Sequence, residues 1–334
     1  MRAAVYRRYG GPPVVAVEEL DTPVPGPGKV LVRVAASVVS TTDSAMRSGS
    51  PFAARLFAGP FRPRLRVLGS DFTGTVAAVG DDSAPFHVGD RVWGVTGTGM
   101  SAHAEYLLVP ADGIMQPLPE GVDLIDAAAL IDPTALSFLD DTAELVAGQT
   151  ILINGASGAV GSMAVQLSVH RGATVVAVCS AEHAALVRGL GAHEVLDYNA
   201  GDVVSALRAQ NRAFDVVFDV FGNLGYRRAR ALLTPTGRYC GTVPTLPILW
   251  HTLLTRRSSG RRGVIAFTGL RGKDAVLSDL RETAALVRAG VLKPVIDTRY
   301  PLERVADAHA HVDRGKAGQI VLELDRRPWL TGDA

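Results

Sequence analysis

The run GASGAVG has glycines at the spacing of backbones that approach a phosphate group. The apolar run ILIN before it predicts a buried strand, and an apolar helix is predicted from near Ser162. Between a strand and a helix, the first glycine permits a tight turn, the second admits a pyrophosphate and the third allows close helix packing. Amides at the helix N-terminus favour phosphate. We therefore expect a dinucleotide at Gly155, Ala156, Ser157, Gly158, Ala159, Val160 and Gly161, with a purely structural turn as the alternative.

The second predicted strand, TVVAVCS, ends at Ser180, and this residue indicates which dinucleotide binds. A carboxylate there would accept hydrogen bonds from the adenosine ribose of NAD and repel a 2′-phosphate. Ser180, with His183 nearby and Tyr198 after the third strand, favours NADPH over NADH. Glu182 in the same turn opposes this interpretation. A simple helix-capping role for Ser180 is an equally good alternative.

A parallel sheet is needed to position these residues, and the length of 334 residues favours two domains or one large barrel. Short β-branched runs with Gly/Pro turns predict a small antiparallel, barrel-like β domain at the start of the chain. From about residue 126, strands alternate with helical segments, which predicts a doubly wound parallel sheet. After about residue 270 the chain is expected to return to the first domain. The predicted domains are 1–125 with 270–334, and 126–269.

Composition limits the partners and the compartment. Lys and Arg number 34 against 33 Asp and Glu, so we expect no nucleic-acid partner. No apolar stretch approaches the roughly 18 residues that span a bilayer, so no membrane segment is expected. The start, MRAAVYRRYGG, lacks the apolar region of a secretory signal, which predicts a cytoplasmic protein. Cys179 and Cys240 lie in apolar runs and are predicted to be buried free thiols.

The segment LPILWHTLLTRRSSGRRG (246–263) fits neither domain pattern, because it is apolar first and then basic. We expect either a loop on the substrate side or a surface that faces a partner. Its arginines, Arg256, Arg257, Arg261 and Arg262, are the local support for an anionic partner. A solvated loop is the more common explanation of such a cluster.

Motifs along nearly the whole chain resemble the medium-chain dehydrogenase/reductase superfamily, in its zinc-free quinone oxidoreductase-like branch, which also includes NAD(P)-dependent alcohol dehydrogenase-like proteins. They are PVPGPGKVLVRVAAS, LGSDFTGTVAAVG, VGDRVWG, AHAEYLLVP, the glycine motif, LGAHEVLDY and KPVIDTRYPLERVADAHAHVDRGKAGQIVLEL. The resemblance implies an α/β fold with a GroES-like β-rich domain and a Rossmann domain, a substrate cleft between them, and a homodimer.

Zinc-dependent relatives hold their metal through a cysteine and a histidine at places where this chain has Ser40, and Ser70 with Asp71. None of these offers a thiolate or an imidazole, so we expect no metal site. Zinc-assisted alcohol oxidation is disfavoured, because a metal would be needed to lower the pKa of the alcohol.

The candidate catalytic residues follow from the same resemblance. Many relatives carry Asn and Tyr where this chain has Ser40 and Ala45, which leaves Ser40, Thr41 and Asp43 as the polar groups. A structural ion pair between Asp43 and Arg47 is the favoured alternative for Asp43.

Further candidates lie elsewhere in the chain. Thr134 matches a family threonine near the nicotinamide. Asp132 is a candidate proton donor if burial raises its pKa, and a helix cap otherwise. His103 is interpreted as a substrate contact or, more simply, as a packed histidine.

The resemblance implies hydride transfer from NADPH to a quinone or to an activated C=C bond of an enone, enal or enoyl thioester. Gly241, Thr242 and Val243 are expected at the cofactor. Their amides, with Ser40 and Thr41, would stabilise the oxygen that becomes negative. The alternatives are a zinc-free carbonyl or alcohol oxidoreductase, and a non-catalytic NADPH-binding protein, including one that contacts RNA.

Overall fold

The computed structural model describes residues 1–81, 85–255, 258–266 and 271–325, and these fall into two units. Unit 1 comprises the described residues within Met1–Ile131, Gly272–Ala285 and Pro294–Ala334. Unit 2 comprises those within Asp132–Arg271 and Leu286–Lys293.

The strands of the described residues, in chain order, are β1 (Arg2–Tyr6), β2 (Val15–Glu19), β3 (Lys29–Val39), β4 (Asp71–Val79), β5 (Arg91–Val95), β6 (Tyr106–Pro110), β7 (Ile114–Pro117), β8 (Thr150–Asn154), β9 (Thr174–Cys179), β10 (Glu194–Asp197), β11 (Phe214–Asp219), β12 (Leu233–Gly241), β13 (Arg262–Ile265), β14 (Ile296–Pro301) and β15 (Gln319–Glu323). The helices, in the same order, are α1 (Thr41–Ser48), α2 (Ala53–Ala58), α3 (Leu124–Ala128), α4 (Pro133–Ser137), α5 (Ala159–His170), α6 (Ala184–Gly189), α7 (Val203–Ala209), α8 (Tyr226–Ala229), α9 (Leu246–Thr255), α10 (Lys273–Arg288) and α11 (Val305–Arg314).

Unit 1 is built around the long strand β3, which pairs antiparallel with β4, β6 and β15. Its buried residues Val30, Val32 and Val34 join Phe72 and Leu107 in one apolar core. Ile320 of β15 pairs with Val39 of β3, so this late strand belongs to the same sheet as the early strands.

Unit 2 contains one parallel sheet with the strand order β10-β9-β8-β11-β12-β13. Its inner strands are continuous apolar runs, because helices cover both faces of such sheets. This is the doubly wound order of dinucleotide-binding folds, with the change of direction between β8 and β11. The predicted α/β fold class is confirmed.

The chain first passes from unit 1 to unit 2 between residues 131 and 132, whereas the boundary predicted from the sequence lies between residues 125 and 126. The segment 124–131 stays with unit 1 because Ala128 packs against Ala36 and Val38, and Thr73 Oγ1 donates to the Leu124 carbonyl at 2.6 Å. Residues 286–293 lie with unit 2 because Gln166 of α5 bonds both the N–H and the carbonyl of Lys293, at 2.9 and 3.2 Å.

The segment that fitted neither pattern contains a regular helix, α9, and is therefore not simply a loop. Both cysteines are buried free thiols, as predicted, and burial raises the pKa of Cys240 to about 12. Within the described ranges, none of the helices combines the length and the apolar character that crossing a bilayer demands.

Candidate functional site

The glycine turn between β8 and α5 is anchored to the neighbouring strand β9. Gly155 has a φ of +84°, a conformation that favours glycine. The N–H groups of Gly155 and Ala156 both donate to the Val178 carbonyl at 3.0 Å, and Gly158 N–H donates to the Gly155 carbonyl at 3.2 Å. The turn therefore has a fixed position at the carboxyl edge of the sheet.

Two glycines of this turn have different requirements. A Cβ on Gly161 would lie 2.1 Å from the Gly155 carbonyl oxygen, so the close packing of α5 on the turn requires a glycine. A Cβ on Gly158 would meet no atom closer than the Gly155 oxygen at 3.5 Å. The fold itself therefore does not require glycine at position 158. The open surface there, beside the unpaired first-turn amides that any helix has, fits a phosphate group.

The residues predicted around the adenosine follow two adjacent strands, β9 and β10, at the carboxyl edge of the parallel sheet. Cys179 of β9 and Asp197 of β10 are register partners, and Ser180 and Tyr198 follow them directly. His183 N–H donates to the Ser180 carbonyl at 3.0 Å, which keeps His183 in the same turn. The Ser180 side chain accepts no hydrogen bond from the described turn that follows it, so the helix-capping alternative is not supported.

Sequence reasoning missed a buried carboxylate at the end of the central strand β11. Asp219 is fully buried, and its carboxylate accepts hydrogen bonds from Asn154 Nδ2 at 2.7 Å and from the Tyr239 hydroxyl at 2.8 Å. It is also the register partner of Asn154 on one side and of Gly241 on the other. The available signal was an aspartate at the end of the apolar run FDVVFD, opposite the glycine motif.

The predicted residues Gly241, Thr242 and Val243 lie at the end of β12, next to this carboxylate. Thr242 N–H donates to the Asp219 carbonyl at 3.4 Å, and Thr242 Oγ1 donates to the Val220 carbonyl at 2.8 Å. The segment is thereby tied to the chain that leaves β11. It lies on the same edge as the glycine turn.

Asp132 precedes α4 and caps it. Its Oδ1 accepts from the Thr134 N–H at 2.9 Å, as the alternative interpretation of Asp132 predicts. Helix α4, with Thr134 in its first turn, contacts α5. A role for Asp132 as proton donor stays a prediction.

In unit 1, Ser40 and Asp43 form a capping box at the start of α1. Asp43 Oδ2 accepts from Ser40 N–H at 2.8 Å and from Ser40 Oγ at 2.6 Å, and Oδ1 accepts from Gly69 N–H at 2.8 Å. Asp43 is only 1% exposed, whereas Ser40 is half-buried and Thr41 is exposed. This geometry favours a positioning role for Asp43, which joins Ser40 to the loop that precedes β4.

The expected ion pair between Asp43 and Arg47 is wrong. Arg47 Nη2 instead pairs with Asp313 at 2.7 Å, and its Nε donates to the Gly10 carbonyl at 3.3 Å. The carboxylate of Asp43 already accepts three hydrogen bonds from the loop ends, so Arg47 bonds elsewhere.

His103 is a packed histidine, as the simpler interpretation of this residue predicts. It is fully buried, and its Nε2 lies 3.0 Å from the Val38 carbonyl oxygen. Its ring covers Gly69, where a Cβ would lie 2.3 Å from His103 Cδ2. The ring of His103 also meets the ring of His309 edge-on, with 6.1 Å between the centroids. The pKa of His309 is lowered to about 3, mainly by burial and next by the neighbouring His103.

The residues at the family's metal positions do not fit a zinc ion. Ser70 Oγ donates to Asp71 Oδ1 at 2.9 Å, and Ser40 bonds Asp43. Across the part of the chain that the structure describes, no group of three or more His, Cys, Asp or Glu could hold a metal.

Of the four arginines suggested for an anionic partner, the structure describes Arg261 and Arg262. Arg256 and Arg257 lie outside the described residues. Arg261 Nε donates to the carbonyls of Leu233 and Thr234, at 2.9 and 3.2 Å, so this side chain stabilises the start of β12.

Comparison with known proteins gives two family matches. The alcohol dehydrogenase GroES-like domain matches residues 26–120, and the zinc-binding dehydrogenase family matches residues 190–322. The chain is 31% identical to the quinone oxidoreductase of Homo sapiens over 338 residues, covering 97% of this chain and 98% of the relative.

Solved structures give the same picture. The quinone oxidoreductase from Coxiella burnetii has a TM-score of 0.85 at 26% identity, with 97% of this chain and 99% of that chain covered. The Escherichia coli quinone oxidoreductase complexed with NADPH has a TM-score of 0.83 at 24% identity, with 97% and 100% covered, and shows the likeness of fold.

Proposed function

The chain belongs to the quinone oxidoreductase family of medium-chain dehydrogenases/reductases, and we propose that it transfers hydride from NADPH to a quinone or an activated C=C bond. The observation that carries this proposal is the glycine turn. Gly158 is open, it precedes the first helical amides of α5, and it lies beside the point where the strand order reverses. A dinucleotide pyrophosphate suits such a site.

The predicted residues fall into groups with different roles in the proposed reaction. The turn at Gly155–Gly161 binds the pyrophosphate, and Ser180, His183 and Tyr198 surround a 2′-phosphate. The nicotinamide, when bound, supplies the hydride. In unit 1, Ser40 and Thr41 are the proposed hydrogen-bond donors to the acceptor oxygen as its negative charge develops. In unit 2, the 241–243 segment is proposed to contact the cofactor. The proton comes from solvent, with Asp132 as the alternative donor.

The preference for NADPH rests on Ser180, because no carboxylate occupies its place at the end of β9. A hydroxyl can donate to a 2′-phosphate, whereas a carboxylate would repel it. The exposed Glu182 lies in the same turn, so the proposed preference is a higher affinity for NADPH than for NADH and not exclusive binding of NADPH.

We further propose a homodimer, which α9 and β13 support. Helix α9 exposes large apolar side chains at positions i, i+3, i+4, i+7 and i+8, termed the α9 stripe: Leu246, Leu249, Trp250, Leu253 and Leu254. Strand β13 pairs only with β12 among the described strands, and α9 contacts it. Apolar faces and open strand edges of this kind bind other chains. A cytoplasmic location and the lack of a nucleic-acid partner stay predictions.

The cofactor site is tested with Gly158→Asp. Because a Cβ at this position meets no close atom, the variant should keep the melting temperature of the wild type. The carboxylate would repel the pyrophosphate, so NADPH affinity in a fluorescence titration should fall at least about a hundredfold. Gly189→Asp adds the same group on α6, where no atom lies within 4 Å, and should bind normally. Unchanged affinity in Gly158→Asp would contradict the site.

The acceptor is tested by steady-state turnover with NADPH. 1,4-Naphthoquinone and a panel of enones represent the proposed acceptors. Aldehydes with NADPH, and alcohols assayed separately with NADP⁺, represent the carbonyl or alcohol oxidoreductase. Turnover of a quinone or an enone supports the proposal. Turnover of aldehydes or alcohols alone would contradict it and identify a carbonyl or alcohol oxidoreductase. NADPH binding without any turnover would identify a non-catalytic binding protein.

A further inference from the structure

The buried carboxylate of Asp219 is enclosed by five donors. Besides Asn154 and Tyr239, it accepts hydrogen bonds from three backbone N–H groups: Gly222 at 2.9 Å, Leu224 at 2.9 Å and Gly225 at 3.3 Å. A fully buried carboxylate is strongly destabilising without such partners. Each of these bonds therefore constrains the group that donates it.

The donors fix one loop to three neighbouring strands. Asn154 and Tyr239 belong to β8 and β12, on either side of β11, whereas the three amides belong to residues 220–225, termed the 220–225 loop. Asn154 Nδ2 also donates to Asn223 Oδ1 at 2.8 Å. The loop is thus held to the sheet edge from several directions.

The 220–225 loop contacts both segments proposed to bind the cofactor. Phe221 lies against the glycine turn, because a Cβ on Gly155 would lie 3.4 Å from Phe221 N and Cβ. The Val220 carbonyl accepts the hydroxyl of Thr242 at 2.8 Å. A displacement of the loop would therefore disturb the glycine turn and the 241–243 segment together.

We propose that Asp219 is a positioning residue for the dinucleotide. It is enclosed by protein and acts through the 220–225 loop, which it holds so that Gly155 and Thr242 keep their binding geometry. The inference rests on the proposed function, since it assumes a dinucleotide at the glycine turn. It adds a determinant of cofactor affinity that the glycine motif does not contain.

Two tyrosines provide a matched test. Burial is the largest cause that raises the pKa of Tyr239, and the charge of Asp219 is the second. The hydroxyl therefore stays protonated and donates to Asp219. The ring of Tyr226 meets that of Tyr239 edge-on at 6.0 Å, but its hydroxyl donates to the Arg261 carbonyl at 3.2 Å. Both are buried and each hydroxyl has one acceptor, yet only Tyr239 bonds Asp219.

The experiment compares Tyr239→Phe with Tyr226→Phe in the full chain, by NADPH fluorescence titration and thermal melting. Loss of one hydrogen bond to a charged group should raise the Kd of Tyr239→Phe about tenfold. The Kd of Tyr226→Phe for NADPH should stay within about twofold of the wild-type Kd, while its melting temperature falls by an amount comparable to that of Tyr239→Phe. An unchanged Kd in Tyr239→Phe, or an equal rise in both variants, overturns the inference.

A second pair tests the same link at Thr242. Thr242→Val removes the hydroxyl that bonds Val220 and should weaken NADPH binding, whereas Thr242→Ser keeps it and should restore most of the affinity. Equal affinities in the two variants would overturn the inference. A wild-type chain that binds neither NADPH nor NADH overturns the proposed function itself, whereas a wild type that binds, with Tyr239→Phe unchanged, overturns only this inference.

Discussion

At the scale of single residues, Ser180 tests the choice of dinucleotide. Ser180→Asp places a carboxylate at the end of β9, where it would repel a 2′-phosphate and accept hydrogen bonds from a ribose. We expect NADPH affinity to fall about tenfold or more and NADH affinity to rise, measured by parallel fluorescence titrations. Ala185→Asp adds the same charge at an exposed position of α6 and should leave the ratio unchanged. An unaltered preference in Ser180→Asp would remove this residue from the phosphate site.

His309 predicts a pH dependence of stability. It is fully buried, neither ring nitrogen has a hydrogen-bond partner among the described residues, and its pKa is lowered to about 3. In the unfolded chain a histidine titrates near pH 6.5. The unfolded state therefore binds the proton first, and stability is lost as the pH falls from about 6.5 towards 3, by up to about 1.4 kcal/mol per pH unit.

His309→Leu should flatten this acid loss, because the variant lacks the group that must stay neutral in the fold. The measurement is the free energy of unfolding in urea at pH 7 and pH 5. His87→Leu, which removes an exposed histidine, should retain the slope of the wild type. If His309→Leu loses stability in acid as steeply as the wild type does, the buried imidazole is not the cause.

The predictability of a residue depended on where its partners lie in the chain. The glycine turn was predictable because its glycines, its strand and its helix are consecutive. Asp219 was not, because its donors Asn154 and Tyr239 are 65 and 20 residues away, on two other strands. The bond between Asp43 and Gly69 was not predictable for the same reason, since it joins residues 26 apart.

At the scale of elements, the start of α1 can be separated from cofactor binding. Asp43→Asn puts an amide N–H group where the carboxylate now faces only donors, which should cost about 1–3 kcal/mol of stability. Ser40 and the Gly69–Ser70 loop should lose their fixed geometry, so turnover of 1,4-naphthoquinone should fall. NADPH affinity should be retained, because the proposed binding residues all lie in unit 2.

The control for Asp43→Asn is Asp123→Asn, which weakens the cap of α3 in the same unit, where Asp123 Oδ1 accepts from Ile125 and Asp126. It should lower stability with little effect on turnover. Equal loss of turnover in both variants would show that Asp43 contributes only through general stability.

Elements were predictable where their apolar pattern was regular. Strands β8, β9 and β11 are largely buried runs of five or six residues that alternate with helices, as the sequence pattern predicts. Helix α9 was missed because its apolar residues include an exposed set, so the sequence has no polar face that would indicate a surface helix. The end of unit 1 was placed too early because Leu124 and Ala128 are held by β3 and β4, which are distant in sequence.

At the scale of the whole molecule, the α9 stripe tests whether two copies associate. Trp250 and Leu253 are 59% and 64% exposed, so glutamates at both positions should leave the unit folded. If the stripe is covered by a second copy, buried charge there would be strongly unfavourable. By light scattering, the wild type should then have twice the chain mass of 35.1 kDa, and Trp250→Glu/Leu253→Glu should have the mass of a single chain.

The control is Phe61→Glu, at a 92% exposed site in unit 1, which should remain a dimer. A wild type of single-chain mass, or a double variant that still associates, would contradict the homodimer through α9.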